Sequence, residues 1–181
     1  IAKRIQKKLG DEIAAKPVNV NRISPEEMLQ YDALILGTPS YGVGDIPGRS
    51  AGCLEPNWEE FLYKLDNPDF SGKRIALFGL GAQERYSDRF ASSLLRLYQV
   101  FWGYGAEIVG SWSTEGYTFA HSAAVMDGRF VGLVLDERTQ GMYSTVSRTF
   151  RLKIGANFQM HLVHHRVIGR VETIRAAAFG F

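Results

Sequence analysis

The chain has 181 residues, 45% hydrophobic and 12% aromatic, which is enough for one globular domain with a substantial core. No run reaches the roughly 18 consecutive apolar residues a membrane helix needs, and no basic stretch followed by an apolar signal segment opens the chain, so a soluble cytoplasmic protein without membrane partners is expected. The net charge of +2 conceals a division: residues 1–137 hold 14 Lys/Arg against 18 Asp/Glu, a balance of −4, while residues 138–181 hold 7 against 1, a balance of +6. Two regions are therefore expected, 1–137 and a divergent basic segment 138–181. The single cysteine, Cys53, excludes an internal disulfide and supplies no metal-site spacing.

Ile1, Ile5 and Leu9 recur every four residues among Lys3, Arg4, Lys7 and Lys8, predicting an amphipathic helix stopped by Gly10. The chain enters this helix at once, without a methionine, as though the front were missing. "PVNVNRI" is a short β-rich run. "SPEEMLQ" then carries Ser24 as N-cap, Pro25 at the first helical position and Glu27 closing a capping box. "ALILG" is an uninterrupted apolar strand of the kind buried on both faces in a parallel sheet, and "NWEEFLYKL" places Trp58, Phe61, Leu62 and Leu65 on one helical face. "GKRIALFGLG" repeats the grammar of a strand emptying into glycines, and "DRFASSLLRLYQVFWGYG" predicts a long helix whose Phe101 and Trp102, like Trp58, read as core. "AEIVGSW" and "RFVGLVLDE" are two further strands around an irregular excursion from Ser113 to Gly128.

This alternation predicts a doubly wound α/β sheet with right-handed crossovers, which binds ligands at the carboxyl ends of its strands. Tyr41 ("TPSYGVG") and Tyr86 ("AQERYSD") lie in loops just beyond two such ends, so both can reach one crevice. Two readings stand. The phenols sandwich a planar heteroaromatic ligand, each stack contributing about 0.5–1.5 kcal/mol beyond area burial, or each simply packs on its own loop. Ser40, Asp45 and His121 do not make a credible triad, because no G-x-S-x-G turn presents a nucleophile.

In order and spacing, "YDALILGTPSYGVGDIPG", "WEEFL", "DFSGKRIALFGLGAQ" and "GAEIVGSWSTEGYTFAHSAAVMDGRFVGLVLDE" resemble the long-chain flavodoxins over residues 1–137, and within them those associated with nitrogen fixation. The resemblance implies a flavodoxin-like sheet of order 2-1-3-4-5 with its last strand split by a long insertion. It also implies noncovalent FMN, and one-electron transfer at low potential between redox protein partners, a reductase and an acceptor such as the nitrogenase system. A monomer that is a carrier rather than an enzyme is expected, with no nucleic-acid partner. By position, Thr38, Pro39, Ser40, Tyr41 and Gly42 match the loop over the inner flavin face. Gly42 sits where a carbonyl turns to meet N5 of the reduced ring, a peptide flip that glycine allows cheaply. Gly81, Ala82 and Gln83 match the loop at the pyrimidine end, and Tyr86 matches the outer stacking residue.

Three departures stand out. The family's first strand and its T-x-T-G-x-T phosphate loop are not in the sequence. The missing strand is central, so either about 15–20 residues precede this sequence or another segment fills the slot; "FQMHLVHH" is one candidate. Ala82 stands where many members carry an acidic residue, which should raise the potential slightly. From about Thr139 the pattern ends in "QGMYSTVSRTFRLKIGANFQMHLVHHRVIGRVETIRAAAFGF". In that tail Val167, Ile168, Val171 and Ile174 predict a replacement last helix, with Arg166, Arg170 and Arg175 around it. His161, His164 and His165 are candidate metal ligands, disfavoured because no carboxylate or cysteine lies beside them, and no metal is expected. The alternative functions are a cofactor-free flavodoxin-like module using its basic tail to bind a partner and, less favoured, a flavin-dependent quinone reductase.

Overall fold

A computed structural model describes residues 1–136 and the backbone of residues 176–180. Helix α1 (Ala2–Leu9) turns Ile5 and Leu9 inward and ends at Gly10, as its four-residue apolar spacing requires. After β1 (Val18–Asn19) and a 3-10 turn at Val20–Arg22, Ser24 starts α2 (Pro25–Leu29). The Glu27 amide donates to the Ser24 hydroxyl at 3.2 Å, and the Ser24 amide donates to the Glu27 carboxylate at 2.9 Å, completing the expected capping box.

Strands β2 (Ala33–Pro39) and β3 (Arg74–Gly81) run parallel from Ala33 opposite Arg74 to Pro39 opposite Leu80. Side chains on β2 alternate between the two faces of the sheet. Leu34 and Leu36 join the core formed with α3 (Trp58–Tyr63) and α4 (Leu94–Gly103), while Ile35 joins Ile5 and Leu9 of α1. A strand buried on both faces needs its continuous apolar run for this reason.

The last strand is split as expected. β4 (Glu107–Val109) pairs with the start of β3, and β8 (Leu133–Asp136) pairs with its end, from Phe78 opposite Leu133 to Gly81 opposite Asp136. The excursion between them holds a small antiparallel sheet of β5 (Trp112–Ser113), β6 (Val125–Met126) and β7 (Arg129–Phe130), in the order β5-β7-β6. Phe90, Tyr117, Phe119 and Phe130 pack ring against ring beneath it, with centroids 5.3–6.0 Å apart.

The central slot is filled by β9 (Ala176–Gly180). It lies parallel between β1 and β2, with Val18 opposite Phe179 and Ala33 through Leu36 opposite Ala176 through Phe179. The main sheet therefore reads β1-β9-β2-β3-β4, with β8 also on β3, which is the spatial order 2-1-3-4-5 with a C-terminal segment as its second member. The segment 158–165, offered as the occupant of the slot, lies outside the described residues. So do residues 166–175 of the predicted last helix, whose end at 176–179 is strand instead.

Two further expectations are corrected. The long helix begins at Leu94 rather than near Asp88, because Ser87–Arg89 form a 3-10 turn and Ala91 adopts a left-handed φ of 52°. Trp102 is 63% exposed and stacks on Tyr98 across one helical turn, whereas Trp58 and Phe101 are core.

Tyr117 gives the fold a defined response to alkali. Its hydroxyl donates to the Val134 carbonyl at 2.7 Å. Burial pushes the phenol up to about 12, a hydrogen bond with Trp112 acts in the opposite direction, and the nearby Asp136 charge adds to the rise. The unfolded phenol ionises first, so the stability Tyr117 contributes is complete below about pH 10 and is lost as pH rises towards 12. The slope is at most about 1.4 kcal/mol per pH unit, reduced by solvent screening. Tyr117→Phe should flatten it in urea melts compared at about pH 9 and 11.

Candidate functional site

Two turns leave the carboxyl ends of β2 and β3 side by side. The first closes on itself: the Tyr41 amide donates to the Asp45 carbonyl at 2.9 Å, and the Gly44 and Asp45 amides donate back to the Tyr41 carbonyl at 2.8 Å. Gly42, at φ 49°, takes the left-handed conformation that this tight reversal demands. Ser93, just before α4, anchors the turn from behind. Its hydroxyl donates to the Pro39 carbonyl at 3.0 Å, and its amide donates to the Ser40 hydroxyl at 3.2 Å.

The second turn is held by the insertion. The Tyr86 amide donates to the Ala82 carbonyl at 2.9 Å, closing the turn. The Gln83 side-chain amide donates to the Asp136 carboxylate at 2.8 Å, while its carbonyl accepts from the Thr118 amide at 2.7 Å. The Ala120 amide reaches the Ser87 hydroxyl at 2.7 Å, and the Ala123 amide reaches the Ser92 hydroxyl at 3.0 Å. Gly81 admits no side chain, since a β-carbon would stand 2.8 Å from the Phe90 ring and 2.9 Å from the Ala91 nitrogen. Buried polar partners thus fix both turns, as a preorganised binding site requires.

Between the turns lies a cleft of about 400 Å³, within the range of small-molecule sites. Seven of the predicted residues line it: Pro39, Ser40, Tyr41, Gly42, Gly81, Ala82 and Tyr86. Tyr41 and Tyr86 remain 41% and 38% exposed, so each phenol offers apolar surface to a ligand. Thr38 and Gln83 are not part of the lining. Thr38 is buried with its hydroxyl donating to the Pro39 carbonyl at 2.9 Å, and Gln83 is turned to Asp136 and Thr118. The lining also includes Arg85 and Arg89, which the sequence reading did not single out.

The profile of the flavodoxin family matches residues 1–148. The chain is 47% identical to a flavodoxin from Klebsiella pneumoniae over 140 residues, 77% of this chain and 79% of that protein. The chain belongs to the flavodoxin family. Flavodoxin 1 of Azotobacter vinelandii is 39% identical over 140 residues, 76% of each chain. The crystal structure of the Fusobacterium nucleatum flavodoxin bound to flavin mononucleotide superposes with a TM-score of 0.66 at 32% identity, covering 77% of this chain and 79% of that one. Flavodoxins carry electrons rather than catalyse reactions.

The cleft fits the ring half of a flavin, with two phenols, a positive-φ glycine turn and the bare backbone of Gly81 facing one space. For a phosphate, its lining offers the Ser40 hydroxyl and the two guanidinium groups. Asp136, 3% exposed and bound to Gln83, is a positioning residue that sequence reasoning passed over as a strand end. Ser93 was missed because a serine within a predicted helix carries no signal of what it meets 53 residues away. Among the described residues no group of three His, Cys, Asp or Glu side chains comes together to hold a metal, and no helix is long and apolar enough to cross a membrane. His161, His164 and His165 lie outside the described residues.

Proposed function

We propose that this chain is an FMN-binding, low-potential one-electron carrier working between a reductase and an electron acceptor. The observation that supports it most is the convergence of Tyr41 and Tyr86 on one cleft of about 400 Å³ at the carboxyl ends of β2 and β3. A bound FMN supplies the redox chemistry. The protein orients the ring between the phenols, excludes water from its faces and presents backbone groups from the Gly42 turn and from Gly81 and Ala82 to its edges. Thr38 and Gln83 hold those turns in place. The acidic balance of residues 1–137 suits docking on basic partners, by steering that weakens with salt. The resemblance of its motifs to nitrogen-fixation flavodoxins suggests a further reading, delivery of electrons in nitrogen fixation, in the cytoplasm. Residues 1–137 form the carrier domain, and residues 138–181 lend it strand β9.

The test is titration of the full-length protein with FMN, followed by flavin absorbance and fluorescence quenching. Saturable micromolar or tighter binding is expected; no binding at that level would favour the cofactor-free module. Tyr86→Ala should weaken FMN by about 2 kcal/mol, roughly thirtyfold, as one stacked face and its buried area are lost.

A further inference from the structure

The cleft has an unusual charge for a region whose overall balance is acidic. Among the described residues its lining contains no carboxylate, and its charged members are Arg85 and Arg89. Both lie against the outer phenol, with the Arg85 Cζ 5.3 Å and the Arg89 Cζ 5.7 Å from the Tyr86 ring centroid. The Arg89 Nε forms an ion pair with a carboxylate oxygen of Asp88 at 3.3 Å; the Asp88 side chain is 69% exposed, so solvent weakens that pairing. Asp88 and the neighbouring Glu84 stand outside the lining. The phenol thus holds two cations at the wall of the cleft, an arrangement that cation–π attraction favours.

We propose that Arg85 and Arg89 set the redox poise of the bound flavin, favouring its anionic, fully reduced form and so raising the potential at which the carrier accepts its second electron. The inference rests on the flavin reading above and adds the sign of the tuning. In the second step the neutral half-reduced ring takes up one electron and no proton at N1, so the ring gains one negative charge. The electron comes from a one-electron reductant. A ring stacked on Tyr86 at the usual 4.5–7 Å between centroids lies within about 10–13 Å of both guanidinium groups. That exceeds the Debye length of about 8 Å in physiological salt, so screening is stronger at the exposed Arg85 and weaker at the half-buried Arg89. Between water-like and protein-like dielectric, one charge at this range favours the anion by about twofold to sixteenfold before salt screening. The pair acts in the same direction as Ala82, which leaves the ring without an acidic neighbour at that position.

The full-length protein, its Arg85→Gln/Arg89→Gln double variant and the Arg85→Lys/Arg89→Lys control are to be compared by dye-mediated titration with reduced methyl viologen, which returns to its dication as it gives up its electron. Affinities for oxidised and fully reduced FMN are to be measured alongside. The glutamine variant should bind reduced FMN about tenfold more weakly relative to oxidised FMN, a fall of about 59 mV in the second one-electron potential. The lysine control should stay within about threefold of the parent, near 30 mV. The same relative shift should appear with riboflavin, because the charge acts on the ring. An unchanged ratio of the two affinities would overturn the proposal. So would equal weakening of both redox states that vanishes with riboflavin, since the arginines would then be serving the phosphate. If the parent protein binds no flavin, the flavin reading itself fails, a different result from a flavin bound with unaltered poise.

Discussion

Ending the chain at Arg175, and so removing strand β9, is expected to abolish cooperative unfolding. β9 is paired on both sides, to β1 at Val18 and Asn19 and to β2 from Ala33 to Leu36. Without it, among the described strands β1 has no neighbour and β2 becomes an edge, although β2 is buried along its whole length. Each backbone hydrogen bond contributes about 1 kcal/mol net, and each buried group left unpaired costs about 1–3 kcal/mol. A four-residue ladder on one side and a shorter one on the other then exceed about 5 kcal/mol, the lower end of a domain's total stability. The newly exposed apolar edge should also promote aggregation. Urea melts followed by far-ultraviolet circular dichroism and tryptophan fluorescence should show a sloping, non-cooperative transition. A milder variant, Ala178→Pro, removes one donor from the middle of the sheet and should cost about 3 kcal/mol or more. A truncated chain that melts with the parent midpoint would show that β9 contributes nothing.

What the sequence could disclose divides along the range of the interactions involved. The capping box of α2 was legible because Ser24 and Glu27 meet three residues apart. β2 and β3 were legible because burial on both faces leaves an uninterrupted apolar run. The cleft was legible as two aromatic turns beyond strand ends, and Tyr41 and Tyr86 do face one space. The occupant of the central slot was not, since three consecutive alanines are the strongest helix formers and continue the periodicity of Val167, Val171 and Ile174. Their strand state depends on pairing with Ala33–Ile35, more than 140 residues earlier, which no local pattern records. The start of α4 was hidden similarly: close approach of Phe90 and Ala91 to Gly81 bends residues 87–93 into turns despite their helical composition. Arg85 and Arg89 belong to no motif or periodic face in the sequence. Only the path of that turn brings them over Tyr86.

Trp58→Ala should have the next largest effect, because Trp58 joins the helical layer to the strand that carries the binding turn. Its indole is fully buried, meets Phe61 edge-on at 5.7 Å and Phe101 at 6.4 Å, and donates from Nε1 to the Gly37 carbonyl at 2.7 Å. Truncation should cost about 3–5 kcal/mol in urea melts, combining lost transfer energy with an unfilled cavity. Trp58→Phe separates the two contributions: the core stays largely filled, but a buried Gly37 carbonyl loses its donor, for about 1–3 kcal/mol. Gly37 immediately precedes Thr38–Gly42, so its carbonyl fixes the plane from which that turn departs. Amide exchange at Ser40 and Tyr41 should therefore accelerate in Trp58→Phe by more than global destabilisation explains, while exchange at Ala82 and Tyr86, held separately through Gln83 and Asp136, should follow global stability alone. Equal acceleration at both turns would mean that the indole supports the core and not the turn.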